Sequence, residues 1–201
     1  MYRQGRNREF IANEITNELD RIGEWCKTSG ASVNPTKATV TWFFLNNHIG
    51  HTPTPTITMN GETLARTNTM KYLRVLFDRS LTFKDHVDHT IARARKELVA
   101  MRVMAAAHCE QRLLALLYQG LVLSVIDYAL AILTLSITQT ERLDKIQNEP
   151  MRIILGCIRD TSTRTMRLLL DYPTMKHRVQ ICSSRAYLRS SADKEIYYTM
   201  Y

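Results

Sequence analysis

The sequence is poor in the residues that mark disulfide-rich, fibrous or low-complexity chains. It has 4 cysteines, 7 glycines and 5 prolines among 201 residues, and aromatic residues make up 8%. The cysteines lie far apart and form no CxxC or Cys/His cluster with zinc spacing, which favours reduced, buried thiols. The chain is 45% hydrophobic, and its length suffices for one buried core or for two small units.

Long apolar runs are also lacking. The most apolar stretch, residues 121–137, contains Ser124 and Asp127 and is too short and too polar for a membrane span. The N-terminus has several arginines but no apolar block of the kind a secretory signal needs. We therefore expect an intracellular protein of the cytoplasm or nucleus, neither secreted nor inserted in a membrane.

Acidic residues are the minority among the charges. The sequence has 27 Lys and Arg against 19 Asp and Glu, a net charge of +8. The excess lies toward the C-terminus, where residues 151–201 carry nine basic and four acidic side chains. This balance favours contact with a polyanion, since each neutralised phosphate releases counterions. A solvated basic surface without a partner is an equally open interpretation.

The first 80 residues predict one helix and a few strands. Ile11, Ile15, Ile22 and Trp25 recur near helical spacing, so we expect an amphipathic helix over 9–28 that stops at Gly30. Runs rich in β-branched and aromatic residues predict strands at 39–45, 57–64 and 70–77, the second folded at Asn60-Gly61. The pattern indicates a small antiparallel sheet with the helix packed on it.

From Thr82 onward the apolar residues change to helical spacing. Helices are predicted over 83–107, through the leucine-rich stretch at 113–126, from 138 to near Gly156, and over 163–171 and 174–190. Thr82 begins a capping-box-like start, and Pro150 is expected to kink or split its helix. The fold class is therefore α+β, mostly α, with domains over 1–80 and 81–201.

Several motifs occur in an order that resembles one known family. They are residues 19–26 (LDRIGEWC), 33–37 (VNPTK), 72–78 (YLRVLFD), 81–86 (LTFKDH), 127–128 (DY), 143–148 (LDKIQN) and 151–157 (MRIILGC). Together they resemble the reverse transcriptases of jockey-like non-LTR retrotransposons. The resemblance implies that 1–80 is the residual end of the palm and that 81–201 is the helical thumb-like and downstream region of an RNA-directed DNA polymerase.

The resemblance also implies where chemistry is absent. It places the family's metal-binding aspartates ahead of residue 10, so we expect no catalytic residue, metal site or cofactor here, although the parent family uses magnesium. Lys37 matches a lysine near the incoming nucleotide's phosphates, or is only an exposed turn residue. The primer-grip-like segment is Tyr72, Leu73, Arg74 and Val75, in which Arg74 replaces the family's usual glycine. The expected function is a polymerase fragment that is inactive alone.

Basic residues in the helical half are the candidate contacts to a nucleic-acid backbone. They are Arg93, Arg95, Lys96, Arg102, Arg152, Arg159, Arg164 and Arg167. The expected partner is RNA or an RNA/DNA duplex, although a solvated helix face also explains these residues. Two other functions stay open: a helical protein-interaction module derived from the element, and a clipped piece of a longer active polymerase. The oligomeric state is not predicted.

Two histidine pairs and four tyrosines are further candidates for binding. The pairs His86 with His89 and His48 with His51 lack third and fourth ligands, so neither predicts a metal site. Four tyrosines fit core or interface positions better than base-stacking platforms; they are Tyr118, Tyr128, Tyr172 and Tyr187.

Overall fold

The computed structural model describes residues 1–44 and 53–199, with side chains described as far as Ser191. The chain divides into two compact units, Met1–Thr82 and Phe83–Tyr201. The predicted fold class, α+β and mostly α, is confirmed. The assignment of the two units to a palm and a thumb stays a prediction.

The first unit begins with helix α1, Arg8–Thr28. Asn7 caps it, because its side chain accepts a hydrogen bond from the Phe10 amide at 3.1 Å. The chain leaves the helix through Gly30 at a φ of +69°, as expected of the predicted stop. The described strands that follow are β1 (Thr39–Val40), β2 (Thr58–Met59), β3 (Glu62–Thr63), β4 (Ala65–Arg66), β5 (Thr69–Tyr72) and β6 (Val75–Asp78).

The strands pair in a different way from the single antiparallel sheet that was predicted. They form three two-stranded sheets, in which β1 runs parallel to β4 while β2–β3 and β5–β6 are antiparallel hairpins. The predicted strand 70–77 is wrong, because Leu73 and Arg74 have φ values of +45° and +66° and fold it into a hairpin. The hairpin at Asn60-Gly61 is confirmed. Of the predicted strand 39–45, residue 45 lies outside the described residues.

The buried face of α1 is rotated relative to the prediction. Ile11 is buried as predicted. Ala12, Gly23 and Cys26 are buried as well, whereas Ile22 and Trp25 are exposed, Trp25 by 66%. With about 100° of rotation per residue, the centre of the buried face lies about 60° around the helix axis from the predicted centre. Small residues on this face let the β2–β3 turn approach, and a Cβ added at Gly23 would overlap the side chain of Asn60. Close approach of the β2–β3 turn thus requires a residue without a side chain at Gly23.

The second unit consists of helices around one core. They are α2 (Lys84–Ala106), α3 (Gln111–Leu117), a π-helical segment (Tyr118–Leu123), α4 (Ser124–Asp127), α5 (Ile137–Leu155), α6 (Thr163–Leu170) and α7 (Met175–Thr199). The core gathers residues from several of them, including Leu98, Met101, Tyr118, Val122 and Leu143, each at most 2% exposed. Full burial of an aliphatic side chain contributes about 1.5–3 kcal/mol.

The leucine-rich stretch contributes several residues to this core. Leu114, Tyr118, Val122 and Ile126 are buried, whereas Leu113 is 41% exposed. The π-helical segment between α3 and α4 has more residues per turn than an α-helix, so α-helical spacing does not locate its buried side.

Helix ends in the second unit follow local hydrogen bonding. The predicted capping box at Thr82 is wrong, because the Thr82 amide and hydroxyl both donate to the Asp78 carboxylate, at 3.0 and 2.9 Å. Helix α5 begins instead with a full capping box between Ser136 and Gln139, and it ends at Gly156 as predicted. Pro150 lies buried inside α5 without splitting it.

Among the described residues, no helix is long and apolar enough to cross a membrane.

Candidate nucleic-acid interface

Several carboxylates in the described part of the chain are bound to arginines. Asp127 accepts two hydrogen bonds from Arg178, at 2.6 and 2.5 Å, and Asp88 accepts one from Arg142 at 2.5 Å. Across residues 1–44 and 53–191, no three His, Cys, Asp or Glu side chains lie close enough together to hold a metal ion. Paired magnesium ions need several carboxylates at one point. The described donor set therefore does not fit them.

Asp144 joins two helices to α5. Its Oδ1 atom accepts from Arg167 Nη2 on α6 at 2.7 Å and from the backbone amide of Met175 at the start of α7 at 3.0 Å. Gln147, fully buried one turn further along α5, donates to the Pro173 carbonyl at 3.3 Å. These two polar residues of the LDKIQN motif thus fix the connection between α6 and α7.

Buried tyrosines lie beside the ion pair of Asp127 and Arg178. The rings of Tyr118 and Tyr172 are 5.2 Å apart, and the Tyr118 hydroxyl is buried near Gln147 without a hydrogen bond of good geometry. Burial raises the pKa of Tyr118 far above its usual value, and it raises the pKa of Tyr172 as well. The ordinary value for a tyrosine is about 10. Both rings belong to the core, whereas Tyr128 and Tyr187 are 59% and 74% exposed, contrary to a core position.

Lys37 and the primer-grip-like segment both lie in the first unit. Lys37 ends a 3₁₀ turn, Pro35–Lys37, that Asn34 caps through its side chain, and it is exposed. In the segment, Tyr72 and Leu73 are 60% and 68% exposed, Arg74 is exposed, and Val75 is 3% exposed. The roles that the resemblance implies for these residues stay predictions.

The four candidate cations of α2 differ in their surroundings. Arg102 is paired with Glu149 of α5. Arg93, Arg95 and Lys96 are exposed and form no ion pair with any described residue. At 100° per residue, Arg93 and Lys96 share one flank of the helix and Arg95 lies on the other. These three side chains present positive charge across the solvent face of α2.

The other four candidate cations lie in and beyond α5. Arg159 and Arg164 are exposed, Arg152 is half-buried, and Arg167 is held by Asp144. Of the eight candidates, Arg102 and Arg167 are therefore already neutralised by carboxylates. A nucleic acid would contact the exposed ones first.

The histidine pairs offer no metal site among the described residues. His86 is buried, and burial lowers its pKa, whereas its neighbour His89 is exposed. The other pair, His48 and His51, lies outside the described residues. The four cysteines are free; Cys26 is buried and the other three are half-buried.

Sequence reasoning missed the polar residues that organise the second unit, namely Asp127, Asp144, Gln147 and Arg178. One signal was available, because Asp144 and Gln147 are three residues apart and so share a helix face with buried Leu143 and Ile146. Polar residues at the edge of an apolar stripe often anchor neighbouring backbone. Arg178 gave no such signal, since its partner is 51 residues away.

The chain is similar to an RNA-directed DNA polymerase. That protein is the RNA-directed DNA polymerase from mobile element jockey of Drosophila funebris, and the two are 27% identical over 165 residues. The match covers 81% of this chain and 18% of the polymerase, so the chain spans less than a fifth of that relative's length. The similarity supports a reverse-transcriptase-like origin. No protein-family model matches the chain, and no solved structure matches it.

Proposed function

We propose that this chain corresponds to the part of a retrotransposon RNA-directed DNA polymerase that follows the catalytic aspartates, and that these residues bind nucleic acid without polymerising it. Residues 1–80 are then the end of the palm, and 81–201 are the thumb-like and downstream region. The observation that carries the proposal is the 27% identity to the jockey polymerase over 165 residues.

The surroundings of the carboxylates support the proposed lack of catalysis. Nucleotide transfer by a polymerase needs metal ions that activate the primer hydroxyl and stabilise the departing pyrophosphate. In the second unit, Asp127, Asp144 and Glu149 are all engaged by arginines, and no described cluster of acidic residues is left for an ion. We expect no primer extension by this chain with magnesium and all four nucleotides. Extension above the level of a no-protein control would contradict this part of the proposal.

Binding is assigned to the exposed cations of α2. Arg93, Arg95 and Lys96 have no carboxylate partner among the described residues and reach solvent, so phosphates can approach them without displacing an existing ion pair. Contacts of this kind position a backbone without reading sequence. Each neutralised phosphate of a duplex adds about 0.9 to the slope of log K against log salt concentration.

The test measures the affinity of the full chain for a fluorescent RNA/DNA duplex by anisotropy across a series of KCl concentrations. The variant Arg93→Ala/Arg95→Ala/Lys96→Ala should weaken binding and reduce the salt slope by roughly 2–3 if each side chain meets one phosphate.

A matched control removes the same charge from the first unit: Arg6→Ala/Lys27→Ala/Arg66→Ala, three exposed side chains. Their loss should change the slope far less than the α2 triple does. If the salt slope falls equally in the two triple variants, net charge alone explains the fall, and the assignment of duplex binding to α2 is refuted. Absence of any duplex binding by the unmodified chain would refute the binding part of the proposal as a whole.

A further inference from the structure

An open cavity of about 580 Å³ lies beside α6, the first part of α7 and the 171–174 connection. We call it the α6–α7 groove. Its lining combines two arginines, Arg164 and Arg167, and the imidazole of His177 with apolar side chains, Leu168 and Ile181, and with the ring of Tyr172. The volume falls within the range of about 300–1,000 Å³ that is usual for sites of small organic ligands.

The cationic side of the groove is partly fixed in place. Asp144 holds one end of the Arg167 guanidinium, while Arg167 Nε is buried without a hydrogen-bond partner among the described residues. Arg164 is exposed and forms no ion pair with a described residue. The exposed carboxylate of Asp171 also lines the groove and offsets part of the positive charge.

The apolar side of the groove is open to solvent. Leu168 is 75% exposed and Ile181 is 41% exposed. Apolar side chains beside cations suit a ligand that has both a flat apolar part and an anionic part. A nucleotide unit has both, since its base offers a flat face and its phosphate a negative charge.

We propose that the α6–α7 groove binds a nucleotide unit of single-stranded nucleic acid. A phosphate oxygen meets Arg164 beside the guanidinium of Arg167, and the base lies against Leu168 and Ile181. A cavity of this volume admits one splayed nucleotide and is too small for a duplex. The inference rests on the proposed nucleic-acid binding and adds to it a second, separate site on the same unit, distinct from the face of α2.

The test compares two double variants of the full chain. Arg164→Glu/Leu168→Ser changes an exposed arginine and an exposed leucine of the groove. Arg189→Glu/Leu188→Ser makes the same two changes on α7 outside the groove, where Leu188 is 66% exposed. Affinity is measured by anisotropy with a fluorescent single-stranded RNA of eight nucleotides and with the RNA/DNA duplex. Circular dichroism checks that both variants stay folded.

We expect the groove variant to lose about ten-fold or more in affinity for the single strand, because Arg164→Glu places a negative charge against the phosphate and Leu168→Ser removes apolar surface from under the base. The control variant should change less than about three-fold, as should the duplex affinity of the groove variant. A single strand carrying 4-thiouridine should crosslink to peptides that contain Tyr172 or His177.

The outcomes separate this inference from the proposed function. If the unmodified chain binds neither nucleic acid, the proposed function fails. If it binds both but the groove variant behaves like its control, or crosslinks map elsewhere, only the groove assignment is overturned. Binding of an acidic helical peptide that depends on Arg164 and Leu168, without such dependence for RNA, would make the groove a protein-docking site and would also overturn the inference.

Discussion

Replacement of Arg74 by glycine should stabilise the first unit. Arg74 and Leu73 form the two-residue loop between β5 and β6, with Tyr72 paired to Val75, and both loop residues have positive φ. A side chain in the left-handed region costs about 1–2 kcal/mol. Glycine avoids that cost but loses about 0.5–1 kcal/mol through its more flexible unfolded state. The expected net gain in the free energy of unfolding is about 0.5–1 kcal/mol.

The β2–β3 hairpin supplies the control. Its loop has the same form, with Asn60 at a φ of +51° and Gly61 at +80°, and Asn-Gly is the preferred pair for such a turn. A Cβ added at Gly61 would meet nothing within 4 Å, so Gly61→Ala tests backbone conformation alone. It should lower the free energy of unfolding by about 1 kcal/mol.

Urea unfolding followed by tryptophan fluorescence measures both variants, because the two tryptophans, Trp25 and Trp42, lie in Met1–Thr82. With a slope of about 1–2 kcal/mol per M, Arg74→Gly should raise the midpoint by roughly 0.5 M. If the midpoint stays unchanged or falls while Gly61→Ala lowers it, the left-handed turn at Arg74 is not the native conformation, and the reasoning is refuted.

Three further predictions concern the second unit. Leu98→Ala should lower the free energy of unfolding by about 2–5 kcal/mol, since Leu98 is fully buried, and a change below 1 kcal/mol by circular dichroism would contradict the core assignment. Asp127→Asn should cost about 1.5–3 kcal/mol through its two hydrogen bonds with Arg178, and a double-mutant cycle with Arg178→Gln should show strong coupling. Tyr118→Phe should change the free energy of unfolding little at pH 7 and should reduce the loss of stability at high pH. The pKa of Tyr118 is raised in the folded state, so its contribution to stability is complete below about pH 10, the value in the unfolded state. That contribution declines as the pH rises above this value. Urea midpoints at pH 9 and 11 that change equally in both proteins would contradict this role.

Helices were predictable here because their apolar spacing is carried by many residues. The segments 9–28, 83–107 and 163–171 each appear within two residues of the predicted bounds. The Asn60-Gly61 hairpin was also predictable, since its turn residues have a strong conformational preference. Leu73 and Arg74 have no such preference, so the pattern of residues 70–77 predicts one continuous strand.

The parts that sequence did not reveal depend on contacts between distant residues. Ile22 and Trp25 looked like core residues from their size, but the turn at Asn60 packs against Gly23 instead. Among the candidate cations, nothing local distinguishes Arg102 and Arg167, which are paired, from Arg95 and Arg164, which are exposed. Their carboxylate partners lie 47 and 23 residues away in sequence, and only the folded unit brings them together.

The π-helical segment Tyr118–Leu123 has a consequence for how this chain tolerates changes in length. A π-helix has about 4.4 residues per turn against 3.6 in an α-helix, so six residues lag by roughly one residue's rotation. The segment therefore holds one residue more than a regular α-helix would have over the same rotation. Gly120, where an added Cβ would meet nothing within 4 Å, is the position where deletion of one residue would restore a regular α-helix. That deletion would leave Asp127 at nearly the same rotation, because five α-helical residues turn about 500° and six π-helical residues turn about 490°. The segment can therefore gain or lose one residue while the carboxylate of Asp127 stays aligned with Arg178.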